Sequence, residues 1–489
     1  MYQWRVRVGG VILGAVVLGS ALAPAARAGE SSPRAIGSGA TGRFAVTAVA
    51  HGAPGTGEGI LTITMAGPGT SWADAANTAV VVEATVDGGQ WQTFVLFAGA
   101  TPFSYSGFTG PLTTGHHVVA VHVDSALSHV TDPVAVVSDV ELGVVLPGDP
   151  EYVALANAPV MYERSYGATG DTPLVQWVST SADGAGGTDL AYQTVWTHED
   201  IGDSVVPANE WGKWGRMSDI DPTIRLTVTR DPRTNGFVTK SATMDGCSFC
   251  PPSAPATITD HLTGDDADVA FHGGYFGTAS IDHHPIIRVF TGNGDVTDQG
   301  TSPFRFQQVL VAPPGPGQTR EAVMDAHPWT YRIMAQEVDR EYAQQYSTDP
   351  RAILPGDTRQ YAIVDLDVTP SPATGPTASG QSSIAVELTL TGDPTVYSND
   401  YRQAGAPTAY PFYVGGHART VVKLPLGWQS HAISGVNLRL DYPPGSAQAA
   451  TATVHSLSVI SLTSAYDPVA VATPAPTFST FPELVPARP

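Results

Sequence analysis

The sequence predicts an all-β protein built from tandem β-sandwiches. Apolar and polar residues alternate with a period of two through most of the chain, for example over residues 78–87 and 117–123. The 489 residues include 51 Gly and 40 Pro, which is typical of many turns between short strands. Hydrophobic residues make up 42% of the chain and charged residues only 14%, so there is enough apolar surface for several folded cores.

The N-terminal residues 1–28 have the pattern of a secretory signal peptide. Basic residues precede an apolar run over residues 8–22, and Ala26-Arg27-Ala28 places small residues where a signal peptidase reads them. The run is short for a bilayer span, although an N-terminal membrane anchor is the alternative. We therefore predict secretion after cleavage near Ala28, with no membrane span in the mature chain.

The net charge of -21 gives the chain an acidic surface. Such a surface repels phosphate backbones, so binding to nucleic acid is not expected. It suits an extracellular protein, or one that collects divalent cations.

After a predicted flexible linker at residues 29–44, residues 45–140 are expected to form an immunoglobulin-like β-sandwich. Gly88-Gly89 is a hairpin-type turn, and a second strand-type run follows it over residues 91–97. The stretch 107–112 contains Gly and Pro and is typical of a loop. The region has no Cys...Trp...Cys set, so it is not expected to be a true antibody-type domain.

A larger central β domain is predicted for residues 141–350. Strand-type runs at 173–179 and 189–196 indicate a hairpin, and two further strands are expected at 224–229 and 285–290. A helix is expected near residues 328–346, because Pro328 suits a first helical position and apolar residues follow at helical spacing: Ile333, Met334, Val338 and Tyr342.

Residues 351–465 predict a jelly-roll-like C-terminal β-sandwich, followed by an extended, mobile Pro-rich tail at residues 466–489. The expected strands are 361–367, 383–390, 420–424, 436–440 and 451–462.

The two cysteines, Cys247 and Cys250, stand close together in the chain. Outside the cell, a local disulfide is the expected state for this spacing. A zinc knuckle completed by histidines and a redox pair are the alternatives.

Acidic and histidine residues concentrate in two stretches of the central domain. Carboxylate pairs there could perform glycoside hydrolysis, and histidines could bind a catalytic metal. The alternative for each residue is a solvated or structural side chain. The catalytic candidates are Glu199, Asp200, Asp219, Asp221, His272 and His283.

A calcium site is a further candidate, at Asn293, Asp295 and Asp298. Oxygen ligands at alternating positions around a glycine, here Gly294, can wrap a hard cation. A turn in which Asn and Asp cap the backbone explains the same residues without a metal.

The order of motifs in this region resembles that of the Vps62-like proteins and their relatives, the necrosis-inducing secreted proteins. The motif Trp-Gly-Arg-Met-Ser-Asp-Ile-Asp (214–221) precedes a strand, and His-His-Pro-Ile-Ile-Arg-Val-Phe (283–290) later leads into a glycine-containing loop that ends at Asp295. The resemblance implies a secreted β-sandwich middle domain and a candidate role for a cation.

A last candidate site consists of aromatic residues in the C-terminal domain. Exposed rings stack on sugar faces, although the same rings could instead fill the core. The residues are Tyr397, Tyr401, Tyr413 and Trp428.

These observations favour a secreted, non-catalytic protein that binds an extracellular glycan or another cell-surface ligand, with calcium as a possible cofactor. A secreted hydrolase acting on a polysaccharide or ester is one alternative, and a structural or toxin-like surface protein is another.

Overall fold

A computed structural model provides the structure of the chain. It describes residues 32–50, 52–164, 172–197, 215–231, 236–247, 268–276, 284–290, 294–342, 346–352, 354–370, 383–400, 412–413, 416–441 and 452–480. The chain forms two compact units, the first from Met1–Gly202 and Ser218–Pro313, the second from Asp203–Met217 and Pro314–Pro489. The predicted signal peptide lies outside the described residues. Among the helices that the structure describes, none is long and apolar enough to cross a bilayer.

The fold is all-β, as predicted. The strands of the first unit are β1 (Arg34–Gly37), β2 (Thr41–Ala50), β3 (Thr56–Ala66), β4 (Val81–Val86), β5 (Gln92–Val95), β6 (Phe103–Thr113), β7 (Gly115–Asp124), β8 (Val134–Val145), β9 (Val160–Tyr162), β10 (Pro173–Ala182), β11 (Thr188–Trp196), β12 (Ile220–Arg230), β13 (Phe237–Cys247), β14 (Asp268–Ala270), β15 (Tyr275–Phe276), β16 (His284–Val289), β17 (Val296–Thr297), β18 (Arg305–Phe306) and β19 (Leu310–Val311). A short helix, α1 (Tyr152–Leu155), follows β8.

Strands β1–β8 form the N-terminal sandwich, in the order β5-β4-β7-β2-β8-β3-β6 with β1 paired to β8. Strand β2 connects the strands β5-β4-β7 to the strands β8-β3-β6. It pairs antiparallel with β7 and, near Val49, parallel with β8. The predicted hairpin turn is present, with positive φ at Asp87 and Gly88.

Two sequence expectations for this sandwich are wrong. From Arg34 onward the expected flexible linker is strand, because β1 pairs with β8 and β2 with β7. The expected loop at 107–112 is part of β6, which pairs with β3 through a bulge near Gly59. Glycines that accommodate a bulge look like loop residues in a sequence.

The central sheet runs in the order β18-β9-β16-β17-β13-β12-β11-β10-β19, with β14 on β13 and β15 on β16. The predicted hairpin is β10–β11, whose strands pair antiparallel. The core of this sheet also includes Ile60 of β3 and Phe108 of β6. Shared apolar packing explains why the N-terminal sandwich and the central sheet form one unit, where the sequence predicted separate domains at 45–140 and 141–350.

The second unit contains α2 (Ala322–Ala326), α3 (Trp329–Tyr342), β20 (Tyr361–Pro370), β21 (Ser383–Leu390), β22 (Asp393–Ser398), β23 (Phe412–Tyr413), β24 (Gly416–Lys423), β25 (Ile433–Asp441), β26 (Ala452–Leu462), β27 (Pro468–Val471) and β28 (Thr477–Thr480). One sheet has the order β24-β20-β26-β27, and the other has the order β22-β21-β25-β28 with β23 on β21. Alternate residues of both sheets enter a single apolar core, which makes this unit a β-sandwich.

Helix α3 lies within the predicted range 328–346 but belongs to the second unit. Its buried face includes Tyr331, Met334 and Val338, at helical spacing. The predicted mobile tail also differs from the structure, because β27 and β28 pair with β26 and β25 as edge strands. Edge positions tolerate Pro, which is why a Pro-rich segment can still contribute strands.

Candidate functional site

Residues from two of the polar stretches that were predicted as candidate sites lie together at one end of the central sheet. Trp196 ends β11, Asp219 and Asp221 lie at the start of β12, and Gly294 lies between β16 and β17. We call these four residues the acidic cluster. The Trp196 N–H donates to the Asp219 carbonyl oxygen at 2.9 Å, which fixes the start of β12 beside the end of β11.

Gly294 lets this cluster assemble. Its φ is 78°, and a Cβ there would lie 2.4 Å from Oδ2 of Asp219, 3.3 Å from Oδ2 of Asp221 and 3.3 Å from the Trp196 ring. The two carboxylate oxygens therefore lie within about 6 Å of each other, a range that includes the separation used by retaining glycosidases. Any side chain at this position would displace a carboxylate.

The acidic cluster is buried. Asp219 is 1% exposed, Asp221 is 8% exposed and Trp196 is fully buried. The Trp196 indole N–H donates to Oε1 of Glu163 at 3.1 Å, which brings a third carboxylate close to the ring. The arrangement could exchange protons between neighbouring carboxylates, or could stabilise the end of the sheet.

The other catalytic candidates do not join this cluster in the part of the chain that the structure describes. His272 is exposed, and its backbone N–H donates to Oδ2 of Asp298 at 2.8 Å. Glu199, Asp200 and His283 lie outside the described residues.

The calcium candidates are only partly described. Asp295 and Asp298 are buried, and Asp298 accepts hydrogen bonds from His272 and from the Gln299 side chain. Asn293 lies outside the described residues. Within the described chain, no three His, Cys, Asp or Glu side chains are arranged to hold a metal ion. Calcium binding by these residues stays a prediction.

The cysteine pair is also only partly described. Cys247 ends β13, where its backbone pairs with Thr297. Cys250 lies outside the described residues, so the disulfide stays a prediction.

The structure contradicts the expected aromatic platform at two of its four positions. Trp428 is 1% exposed, Tyr397 is 5% exposed, and both rings belong to the core of the second unit. Burial raises the pKa of Tyr397, and its hydroxyl donates to Oδ2 of Asp393. Tyr413 contributes backbone to β23, and Tyr401 lies outside the described residues.

A different surface of the second unit presents polar groups, on the side of the β22-β21-β25-β28 sheet that faces away from the core. The strand register aligns one residue from each of its four strands in a single row. We call this row the polar face, and its members are Ser398, Glu387, Asn437 and Thr477. Thr477 is exposed and the other three are half-buried.

Hydrogen bonds hold the polar face in place. The Asn437 amide donates to Oε2 of Glu387 and to the Ser479 hydroxyl, both at 2.7 Å. The Thr477 hydroxyl donates to the Asn437 amide oxygen at 3.1 Å. Arg439, in the next row, forms an ion pair with Glu387 at 2.8 Å. A network that already fixes its side chains loses little conformational entropy when it binds a ligand.

The polar face was not among the predicted sites, although the sequence carries a signal for it. Glu387 stands between Val386 and Leu388, and Asn437 between Val436 and Leu438. Period-two alternation places such residues on the face opposite the core. Single polar residues of this kind are less conspicuous in a sequence than aromatic residues.

Neither a protein-family model nor a curated protein matches the chain. Parts of it are similar to solved structures. The CBM36-1 domain of a multidomain xylanase from the hindgut metagenome of Trinervitermes trinervoides shares 13% identity, over 25% of this chain and 92% of that chain, with a TM-score of 0.17. The C-terminal domain of EclA, a sugar-binding protein, shares 16% identity over 27% of this chain and 89% of that chain, with a TM-score of 0.16.

A family two carbohydrate esterase from Cellvibrio japonicus shares 16% identity over 24% of this chain and 33% of the esterase chain, with a TM-score of 0.14. At these TM-scores the similarity carries no functional argument. The fold of the chain is a set of β-sandwiches.

Proposed function

We propose that this protein is exported by its N-terminal signal peptide and binds an extracellular glycan through the polar face of the second unit. The observation that carries the proposal is the row of four hydrogen-bonding side chains in register across four strands. Neighbouring strands lie about 4.8 Å apart, so the row presents donors and acceptors at a spacing that suits the hydroxyl groups of a sugar chain.

The chemistry of the polar face favours a neutral glycan. Glu387 and the adjacent Asp400 are both paired with the single guanidinium of Arg439. Two carboxylates and one guanidinium leave a net negative charge, which repels a polyanionic chain. The carboxylate accepts hydrogen bonds from sugar hydroxyls, and the amide and hydroxyl groups both donate and accept them, so a neutral sugar can bind without an ion pair.

The test is binding of the purified full chain to a glycan array and to insoluble polysaccharides, with Asn437→Ala as the test variant. We expect Asn437→Ala to weaken binding about tenfold, because it removes a fixed amide together with its hydrogen bonds to Glu387 and Thr477. Thr453→Val, which changes an exposed threonine on β26 of the other sheet, is the matched control and should bind as the wild type does. Equal binding by Asn437→Ala and the wild type would contradict the proposal, as would a wild type that binds no glycan.

The acidic cluster favours hydrolysis of a glycoside or ester as a second candidate function, because two carboxylates lie close together beside Gly294. Under this alternative, Asp219→Asn abolishes turnover of a chromogenic glycoside or ester while Thr453→Val retains it. A wild type without measurable turnover on either substrate class leaves the cluster as a structural feature. The Vps62-like resemblance, which concerns the same residues, stays a prediction.

A further inference from the structure

Arg288 is a buried arginine on β16 of the central sheet. Its neighbours Ile287 and Val289 enter that core, so alternation along β16 directs Arg288 to the opposite face. Arg288 is 9% exposed. The register pairs it with Tyr162 of β9 on one side and Thr297 of β17 on the other.

The guanidinium of Arg288 has an unsatisfied donor. Its Nε is buried, and no described residue accepts a hydrogen bond from it. Glu163 exerts an attractive charge that compensates Arg288 in part, and Oε1 of Glu163 also accepts the indole N–H of Trp196. Burial lowers the pKa of Arg288, and the neighbouring charge of Arg164 lowers it further.

A second buried arginine lies in the same row of the sheet. Arg305 of β18 pairs with Tyr162, which in turn pairs with Arg288, so the two arginines are separated by two strand spacings, about 10 Å. Arg305 donates to neutral oxygens of Trp91 and Gln307, and Tyr162 and the Phe276 ring also favour its charge. Its Nε has no partner among the described residues. Positive charge therefore exceeds its local compensation on this face.

Burying a guanidinium without an anionic partner is unfavourable, because the ion loses hydration that nothing replaces. An oxyanion would remove this penalty, since a carboxylate or sulfate accepts two parallel hydrogen bonds from the planar guanidinium. We propose that Arg288 is the anchor of an oxyanion-binding site that takes a single carboxylate or sulfate group of a ligand. This site is separate from the polar face, and it does not depend on glycan binding there.

The test uses the purified full chain and isothermal titration with three probes: sodium glucuronate, sodium sulfate and uncharged glucose. Arg288→Gln keeps a hydrogen-bonding side chain but removes the charge and the paired donors. Arg288→Lys keeps the positive charge but lacks the two parallel N–H donors of the guanidinium. It serves as the test variant if Arg288→Gln does not fold. Arg230→Gln, an exposed arginine at the end of β12 on the same sheet, is the matched control.

We expect the wild type and Arg230→Gln to bind at least one of the two anions about tenfold more tightly than Arg288→Gln, with Arg288→Lys in between. Preference for glucuronate identifies a carboxylate ligand, and preference for sulfate or equal binding identifies a general oxyanion site. The proposal is overturned if neither anion binds the wild type, if Arg288→Gln or Arg288→Lys binds the anions as tightly as the wild type, or if glucose binds as tightly as the anions.

Discussion

Two buried arginines, one in each unit, have opposite surroundings. Arg419 of β24 is 3% exposed, and its guanidinium pairs with both carboxylate oxygens of Asp365 and of Asp325 and with the Tyr331 hydroxyl. Arg288 is also buried, at 9% exposed, and its Nε has no partner among the described residues. The same residue type is fully compensated within the fold in one unit and is left open to a ligand in the other.

The pKa values of the two arginines reflect this difference. Burial by itself lowers the pKa of both. At Arg419, Tyr331, Asp365 and Asp325 outweigh burial and hold its pKa well above the ordinary value. At Arg288, the repulsion from Arg164 adds to the effect of burial, and the attraction of Glu163 does not outweigh the two. Burial of a charge therefore indicates a binding role only where the counter-charges of the fold do not offset it.

The largest expected effect is the loss of stability in Arg419→Gln. The substitution leaves the carboxylates of Asp325 and Asp365 close together without their cation, and breaking a buried pair in this way costs about 3–5 kcal/mol. Urea unfolding of the full chain, followed by a probe of the second unit, measures the change.

The control for this prediction is Arg359→Gln, which breaks a surface pair with Asp357 in the same unit. Exposed pairs contribute at most about 1 kcal/mol, so this variant should unfold close to the wild type. A loss below about 1 kcal/mol in Arg419→Gln would show that its partners do not compensate its burial.

Lys423, also on β24, is intermediate between Arg419 and Arg288 in how far the fold compensates its buried charge. It is fully buried, and its ammonium donates to the Leu354 carbonyl oxygen at 2.7 Å rather than to a carboxylate. Burial lowers its pKa from 10.5 to about 8, and Asp349 offsets only part of that shift. Between pH 8 and 10.5 the unfolded chain holds a proton that the native state has lost, so stability should rise with pH across this window.

The measurement is the unfolding free energy of the wild type and of Lys423→Met between pH 7 and 11. Because other groups titrate in this range, the informative quantity is the difference between the two proteins. The stability gain on raising the pH should be larger in the wild type than in Lys423→Met. Parallel curves would mean that the Lys423 amine keeps its ordinary affinity for protons in the native state.

The strands were predictable because burial on one face of a sheet imposes period-two alternation. The strand expected at 383–390 is β21, and the one expected at 451–462 differs from β26 by one residue. Alternation does not show which side chains meet across the fold. Asp219 approaches Gly294, and Arg419 meets Asp325 and Asp365, only after distant segments pack together. For the same reason, Trp428 could not be assigned to the core or to the surface from its sequence context.

The smallest expected effect on stability is that of Arg288→Gln. Its Nε has no hydrogen bond to a described residue, and removing its charge relieves the repulsion from Arg164, which offsets the lost attraction of Glu163. The unfolding free energy should therefore stay within about 0.5 kcal/mol of the wild type, or rise slightly, in buffer without sulfate or carboxylate. Adding sodium sulfate should stabilise the wild type more than Arg288→Gln, because only the wild type has the anion site. If Arg288→Gln instead lost as much stability as Arg419→Gln, the Arg288 side chain would be part of the structural framework, and the contrast between the two arginines would fail.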